Sequence, residues 1–270
     1  YGIAKTTDDA DILVYNTCAV KTPTENRMIE ILRKARAVEG KKLVITGCLP
    51  LVNYERVSNE VDFDGILCQG AASAIVETVN RVLRKERVVS LDRSRNGKPG
   101  LYLPRMPTNP VISIVPIAHG CLGSCSYCCV VLARGHLRSC STDEIAQRIK
   151  HDLDSGAKEV WLTAQDTGCY GKDIGVTLAT LLSQTRKIKS DFHVRVGMMT
   201  PNFASHTLSQ LIDAFKNDHV FKFLHLPVQS GDDEVLKHMN RFYSVDDFKR
   251  IVAAFRTAIP NLTLATDVIV

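Results

Sequence analysis

Three cysteines stand close together near the middle of the chain, within residues 120–128, GCLGSCSYC. Cys121, Cys125 and Cys128 have the spacing Cys-x3-Cys-x2-Cys. A short loop of this kind can fold three thiolates around one metal centre, and thiolates are the usual ligands of iron–sulfur clusters. Three protein ligands on a four-iron cluster leave one iron open, and an open iron can bind a substrate's amino and carboxylate groups. Three buried thiols and a zinc site are the alternatives, although zinc usually takes a fourth protein ligand or a water.

The rest of the composition favours metal or redox chemistry over disulfides. The 270 residues are 45% hydrophobic and 23% charged, an ordinary globular composition that argues against disorder. No secretory signal opens the chain, so we expect a cytoplasmic protein, in which disulfides would be reduced. Nine cysteines, an odd number, then point to a metal or redox role. No apolar run approaches the roughly 20 residues that span a bilayer, so no membrane partner is predicted.

Charge and chain ends add two weaker expectations. The 34 basic and 29 acidic residues give a formal net charge of +5, which permits an anionic partner such as nucleic acid. A basic solvated surface accounts for the same charge equally well. The chain begins at Tyr1 rather than Met, and residues 262–270 resemble a strand cut off before its turn. We therefore expect an internal fragment, truncated at both ends.

The first third of the sequence predicts a small α/β unit with a parallel sheet. The start of its first helix is predicted at Thr22, which we expect to be the N-cap. Pro23 suits the first helical position, and Glu25 would complete a capping box. A second helix is predicted over residues 72–84. The predicted strands cover residues 11–15, 42–46 and 63–67.

The remaining sequence predicts a second α/β unit. Proline and glycine are frequent over residues 93–110, which indicates a linker. We place the boundary near residue 105, with domains at 1–104 and 105–270. A capping box from Ser141 to Glu144 predicts the start of one of its helices, and the pattern Ser244-x-x-Asp247 predicts the start of another. The predicted strands cover residues 111–117, 159–163, 193–197, 221–226 and 262–270. This repeated βα pattern predicts a full or partial parallel barrel with the cysteine loop after its first strand, where barrel enzymes carry functional residues.

The cysteine spacing, with Tyr127 before the last cysteine, resembles the radical S-adenosylmethionine (SAM) superfamily. The resemblance implies that the open iron chelates the methionine part of SAM. An electron from the cluster then cleaves the sulfonium to a 5′-deoxyadenosyl radical, which abstracts hydrogen from an unactivated carbon.

Further motifs in both predicted domains are similar to those of the methylthiotransferase family. Residues 166–173, DTGCYGKD, look most like the branch that acts on N6-threonylcarbamoyladenosine in tRNA. The resemblance implies addition of a methylthio group to C2 of this nucleoside at position 37, with one SAM supplying the methyl group and a second the radical. It also implies two [4Fe-4S] clusters, a sulfur donor, and an electron donor such as flavodoxin or ferredoxin. The other similar motifs are residues 16–20, 46–48, 133–135, 162–168 and 225–231.

The same resemblance implies that the second cluster lies in the first domain, held by three cysteines. Cys18 and Cys48 match two of the ligand motifs, and both follow strand ends that a parallel sheet would bring to one edge. The third ligand lies upstream of Tyr1 in the family pattern. Cys68 is the alternative third ligand, or else a small buried hydrophobe. The remaining three cysteines match no ligand position: Cys129, Cys140 and Cys169.

Polar residues near the strand ends are candidates for cofactor binding. Gln165 and Asp166 follow the second barrel strand and are expected to bond the amino group or ribose of SAM, or to cap a turn. Arg195 lies within an apolar strand and needs an anion, either the cofactor carboxylate or a structural partner. Gln229, after the fourth strand, is expected to contact the cofactor ribose. Arg134 and Arg138 follow the cysteine loop, where they meet tRNA phosphate or shape the loop.

Three other functions fit much of the same sequence. Methylthiotransferases acting on another modified tRNA adenosine, or on a ribosomal-protein aspartate, would use the same chemistry. A non-catalytic iron–sulfur module that binds RNA would not. Formation of 5′-deoxyadenosine separates the enzymes from the binding module.

Overall fold

The computed structural model describes residues 1–68, 74–91, 100–103, 105 and 109–270. The chain divides into two compact units: the first comprises Tyr1–Pro99 and Cys128–Gly135, the second Gly100–Tyr127 and His136–Val270. Most of the predicted linker, and the start of the predicted helix at residues 72 and 73, lie outside the described residues. The domain boundary near residue 105 therefore remains a prediction.

The first unit is built on a four-stranded parallel sheet with strand order β1-β2-β3-β4. Short apolar runs form its strands, as the sequence predicts, and β4 is an addition to that prediction. The strands are β1 (Ile12–Thr17), β2 (Lys42–Gly47), β3 (Gly65–Leu67) and β4 (Val88–Ser90). The helices among its described residues are α1 (Thr22–Arg36), α2 (Leu49–Val52), α3 (Tyr54–Glu60), α4 (Ile75–Leu83) and α5 (Val130–Arg134).

The start of α1 differs from the prediction. Thr22 is the first helical residue and not the N-cap, and the N-cap Lys21 makes no side-chain capping bond. Glu25 does not close a capping box, because its carboxylate accepts hydrogen bonds from Asn53 at 2.9 Å and from the guanidinium of Arg56 at 2.8 Å. A bond to a charged donor is stronger than a bond to a backbone amide. Tertiary contacts to α3 thus override the local pattern.

The second unit is an open arrangement of parallel strands flanked by helices, as predicted for a partial barrel. One ladder has the order β5-β8-β9 and another pairs β10 with β11, while a parallel bridge joins Val194 of β9 to Val220, which precedes β10. The strands described do not close into a ring. They are β5 (Ile112–Pro116), β6 (Ala118–His119), β7 (Arg138–Ser139), β8 (Glu159–Thr163), β9 (His193–Val196), β10 (Phe223–His225) and β11 (Thr263–Ala265).

Helices alternate with these strands and cover one face of the sheet. Helix α6 (Thr142–Asp154) buries Ile145 and Ile149, and α7 (Leu178–Thr185) buries Leu181 and Leu182. The remaining helices are α8 (Pro201–His206), α9 (Leu208–Phe215), α10 (Asp233–His238) and α11 (Val245–Ala258). No helix in the described parts of the chain is both long and apolar enough to cross a bilayer.

Two local features of the second unit differ from the prediction. The antiparallel pair β6–β7 was not predicted, because each strand has only two residues and no periodicity to read. The last strand is shorter than residues 262–270. After Ala265, the Thr266 hydroxyl accepts the Val228 amide at 3.0 Å, so a side chain interrupts the backbone ladder.

The predicted caps at Ser141 and Ser244 are confirmed as complete capping boxes. We expect Ser141→Ala and Ser244→Ala each to lower the free energy of unfolding by about 1 kcal/mol, because each leaves a helix-terminal amide without its acceptor. Thr22→Ala is the matched control and should change it by less than about 0.5 kcal/mol. Urea denaturation measures all three, and equal losses would contradict this assignment of caps.

Candidate metal and cofactor site

The cysteine loop of the second unit, residues 120–127, is fixed at both ends. Its first amide, on Gly120, donates to the Gln165 side-chain oxygen at 2.8 Å. Near its other end, the Ser126 amide donates to the Met239 carbonyl at 3.1 Å. The Asn240 side chain donates to the Ser124 carbonyl at 2.7 Å. Because these partners follow β8 and α10, the loop is held by distant parts of the barrel and not only by its own sequence.

The interior of this loop suits thiolate ligands. The Gly123 amide donates to the sulfur of Cys121 at 3.2 Å. A Cβ atom at Gly123 would lie 3.3 Å from that sulfur and 3.5 Å from the sulfur of Cys125, so a side chain there would crowd both ligands. Amide-to-sulfur hydrogen bonds of this kind stabilise iron–sulfur clusters. The donor set fits a [4Fe-4S] cluster. Cys128 belongs to the first unit, and its place as third ligand remains a prediction from spacing.

A buried thiol, Cys169, lies against the first cysteine of the loop. The ligand atoms of Cys121, Asp166 and Cys169 all lie within 4.8 Å of one another. A hydrogen bond from Cys169 lowers the pKa of Cys121 to about 7, against the opposing effect of burial. The same bond, together with burial, raises the pKa of Cys169. Of the two thiols, Cys121 therefore loses its proton more readily near neutral pH, which favours metal binding.

Asp166 shapes the turn that carries Cys169. It is the N-cap of the 3-10 turn Thr167–Cys169, accepting the Gly168 amide at 2.8 Å. It also accepts the amide and the hydroxyl of Thr200 at 3.1 and 2.6 Å. Burial raises the pKa of Asp166, and these bonds oppose that rise by stabilising the carboxylate. Gln165 and Asp166 therefore hold the loop and the turn in place, and their direct contact with a cofactor remains a prediction.

Arg195 and Gln229 have different surroundings. The Arg195 guanidinium lies between the rings of Trp161, at 5.1 Å, and Phe223, at 4.8 Å. No carboxylate in the described parts of the chain pairs with it, so its charge is free to meet an anion. Gln229 is buried and has a left-handed φ of 71°. Its backbone amide donates to the Asp267 carbonyl at 2.9 Å. Its proposed contact with a ribose is untested.

Arg241 is a site residue that the sequence did not reveal. Its guanidinium donates to the Tyr127 hydroxyl and lies 5.6 Å from the centre of that ring. Its buried Nε has no partner among the described residues. Burial lowers the pKa of Arg241, but Cys125, Tyr127 and Tyr243 together raise that pKa above its usual value. A positively charged side chain thus lies close to the loop. Arg241 follows α10, far from the cysteines in sequence, and no sequence motif identifies it.

The two predicted ligands of the first unit lie at one sheet edge, as expected. The Cys48 amide donates to the Thr17 carbonyl at 2.9 Å, next to Cys18. This approach requires glycine at position 47, where φ is +98° and a Cβ would lie 2.3 Å from the Thr17 oxygen. Cys68 also follows a strand but is buried in a small apolar cluster with Leu67, Leu51 and Ile75. Burial of this kind is typical of a cysteine that acts as a small hydrophobe.

Two family models match different parts of the chain. Residues 115–270 match the Radical SAM superfamily, and residues 1–68 match the uncharacterized protein family UPF0004. A Pyrococcus horikoshii protein named probable threonylcarbamoyladenosine tRNA methylthiotransferase is 44% identical over 269 residues, 99% of this chain and 63% of the relative. The human threonylcarbamoyladenosine tRNA methylthiotransferase is 36% identical over 275 residues, 100% of this chain and 47% of the relative. The chain thus spans less than two-thirds of the length of either.

Solved structures share the fold. The radical S-adenosylmethionine methyltransferase TsrM from Kitasatospora setae matches with a TM-score of 0.66 and 12% identity, covering 95% of this chain and 55% of that one. The cobalamin-dependent S-adenosylmethionine radical enzyme OxsB matches with a TM-score of 0.64 and 10% identity, covering 96% and 41%. At such identities the likeness concerns architecture alone.

The contact between Cys169 and Cys121 can be tested in the metal-free protein. Cys169→Ala removes the hydrogen bond that lowers the pKa of Cys121, so that pKa should rise toward the ordinary thiol value of about 8.5. The thiolate fraction of Cys121 at pH 7 should then fall by roughly tenfold. Its rate of alkylation by iodoacetamide, followed by peptide mass spectrometry, measures this fraction. Cys140→Ala, another buried cysteine, is the control and should leave the rate unchanged; an unchanged rate in Cys169→Ala would refute the contact.

Proposed function

Because this chain belongs to the radical SAM superfamily, we propose that it is the catalytic part of a methylthiotransferase acting on N6-threonylcarbamoyladenosine in tRNA. The observation that carries the proposal is the presence, in one chain, of two matched families, with Cys18 and Cys48 directly after parallel strands of the first unit and the cysteine loop after β5 and β6 in the second. The names of the archaeal and human relatives support this nucleoside over a protein side chain as the substrate.

Radical chemistry suits this substrate better than acid–base chemistry does. The C2–H bond of an adenine ring has no acidic proton at neutral pH, so no protein base can open it directly. A [4Fe-4S] cluster and SAM, when bound, supply the radical that this step requires. The protein's part is to hold the thiolates, exclude competing ligands and fix the cofactor.

The residues in and around the barrel loop have different roles in holding the cluster. Cys121 and Cys125, with Cys128 by its spacing, hold the cluster, and the Gly123 amide and the Cys169 thiol stabilise the charge on Cys121. The Arg241 guanidinium offsets the negative charge near Cys125. An isolated charge buried without such a partner would be costly.

Arg195 is the proposed partner of the cofactor carboxylate. Its aromatic neighbours fix the guanidinium plane and leave its hydrogen-bond donors unused by any carboxylate among the described residues. A planar guanidinium is well suited to a bidentate carboxylate contact. Gln165, Asp166 and Gln229 are proposed to complete the cofactor site around it.

The first unit is proposed to hold the second cluster through Cys18 and Cys48, and this cluster holds or donates the sulfur. Delivery of electrons by a flavodoxin or ferredoxin, and of sulfur by a separate donor, belongs to the same proposal. The formal charge of +5 is compatible with a tRNA partner.

The substrate assignment is tested in cells that lack the gene. Their tRNA should contain N6-threonylcarbamoyladenosine without the methylthio group, as measured by nucleoside mass spectrometry. The full-length protein should restore the modification, and its Cys121→Ala variant should not, because the barrel cluster loses a ligand. Cys140→Ala is the control and should restore it. Unchanged modification in the deleted cells would overturn this substrate assignment.

The roles of the two units separate in a second experiment. Cys18→Ala in the full-length protein should continue to convert SAM to 5′-deoxyadenosine, because the barrel ligands remain, while the methylthio product disappears. Cys121→Ala should lose both activities. Cys68→Ala should keep both if the apolar cluster is its only role. Loss of SAM cleavage in Cys18→Ala would contradict the division of labour.

A further inference from the structure

Two thiols of the second unit, Cys121 and Cys169, lie close enough to react with each other. Their sulfur atoms and a carboxylate oxygen of Asp166 all lie within 4.8 Å of one another. In a disulfide the two sulfur atoms are about 2.05 Å apart. A movement of less than about 3 Å by one sulfur would therefore bring the pair to bonding distance.

The two cysteines are carried by different parts of the barrel. Cys169 is the last residue of the 3-10 turn that begins at Thr167, and the Thr167 amide holds this turn by donating to the Met198 carbonyl at 2.9 Å. Cys121 follows Gly120, whose φ of +79° lies in the left-handed region that glycine adopts most easily. The turn thus holds Cys169 in a fixed position, and the adjustment that a disulfide requires falls on the loop that carries Cys121.

Exposure to solvent makes the two thiols chemically unequal. Cys169 is 0% exposed, whereas Cys121 is partly exposed. A dissolved oxidant can therefore reach the sulfur of Cys121 before that of Cys169. An accessible cysteine beside a second cysteine is typical of redox-active pairs, in which the second thiol reacts with the oxidised form of the first. Cys121 is placed as the thiol that an oxidant attacks, and Cys169 as the thiol that resolves the product.

We propose that Cys121 and Cys169 form a reversible disulfide in protein that has lost its barrel cluster and meets hydrogen peroxide. In the first step the Cys121 sulfur attacks one peroxide oxygen, the O–O bond breaks, and a sulfenic acid and one water molecule form. In the second step the Cys169 sulfur attacks the sulfenic sulfur, the S–O bond breaks, and the hydroxyl leaves as water with the Cys169 proton. The two thiols together lose two electrons, which reduce the peroxide to two water molecules.

The disulfide protects a cluster ligand from irreversible damage. Without a resolving thiol, a second peroxide molecule oxidises the sulfenic acid of Cys121 to a sulfinic acid, which thiol reductants do not reverse. A dithiol reduces the disulfide by exchange and returns both thiols, so that Cys121 can bind iron again. This role goes beyond the proposed function, because it concerns the cluster-free protein and involves no tRNA.

The test uses the full-length protein, freed of iron and treated with hydrogen peroxide. Peptide mass spectrometry should find the peptide of Cys121 linked to the peptide of Cys169, and dithiothreitol should release the link. Cys169→Ser keeps a side chain of similar size but removes the resolving thiol, so its Cys121 should accumulate more sulfinic acid than in the unchanged protein. Cys140→Ser, a change at another buried cysteine of the same core, is the matched control and should still form the link.

A second measurement follows the recovery of iron binding. Cys18→Ala and Cys48→Ala together limit iron to the barrel, where about four atoms per chain should load before peroxide treatment. After peroxide and then dithiothreitol, this protein should regain most of its iron, whereas the same protein with Cys169→Ser should regain a smaller fraction of what it loads untreated. Equal recovery, equal sulfinic acid, or a link from Cys121 to Cys125 in place of Cys169 would overturn the inference. No readout involves tRNA, so a missing methylthio product would refute the proposed function alone.

Discussion

The barrel site depends on one buried carboxylate. Asp166 is 2% exposed and accepts hydrogen bonds from Gly168 and from both donors of Thr200. Removing a carboxylate from water is costly, and these bonds are what offset the cost. They fix the turn after β8 to the residue that precedes α8. This turn places Cys169 against Cys121. Gln165, which precedes Asp166, fixes the start of the cysteine loop. The position of the loop is thus determined by a network that precedes any metal.

The electrostatics of the loop favour thiolates before a metal arrives. A cluster ligand must lose its proton, so every thiol with an ordinary pKa makes metal binding compete with protons. The hydrogen bonds to Cys121 reduce this competition, and the cation of Arg241 lies where Cys125 carries its charge.

The sequence predicted those features that depend on neighbours in the chain. Apolar runs located most strands, and the Ser141 and Ser244 capping boxes formed because their partners lie only three residues away. The prediction for Thr22 was wrong because Glu25 found stronger partners in another helix. The loop cysteines were recognisable by spacing, whereas the roles of Cys169 and Arg241 arise from interactions across 48 and 116 residues of sequence, with Cys121 and Cys125 respectively. Only the fold brings such residues together.

The motif of residues 166–173 shows how a sequence signature can be largely structural. The Tyr170 hydroxyl donates to the Cys140 carbonyl at 2.8 Å, and the Gly171 amide donates to the Ser139 hydroxyl at 2.9 Å. Asp173 accepts the Ser139 amide at 2.8 Å, so the second half of the motif is bonded to the end of β7 and the residue after it.

Most of the side chains in this motif are consequently committed to the protein itself. Tyr170 and Cys169 are buried, and the Lys172 ammonium lies 4.6 Å from the Phe203 ring centre. The buried side chains of Cys169 and Tyr170 are not available to contact a nucleoside. The role of these residues is to fix the turn next to the cysteine loop. The motif that most resembles one branch of the family therefore reflects how the candidate metal site is supported. Recognition of the substrate must then rest on groups that the motif leaves exposed or holds in place.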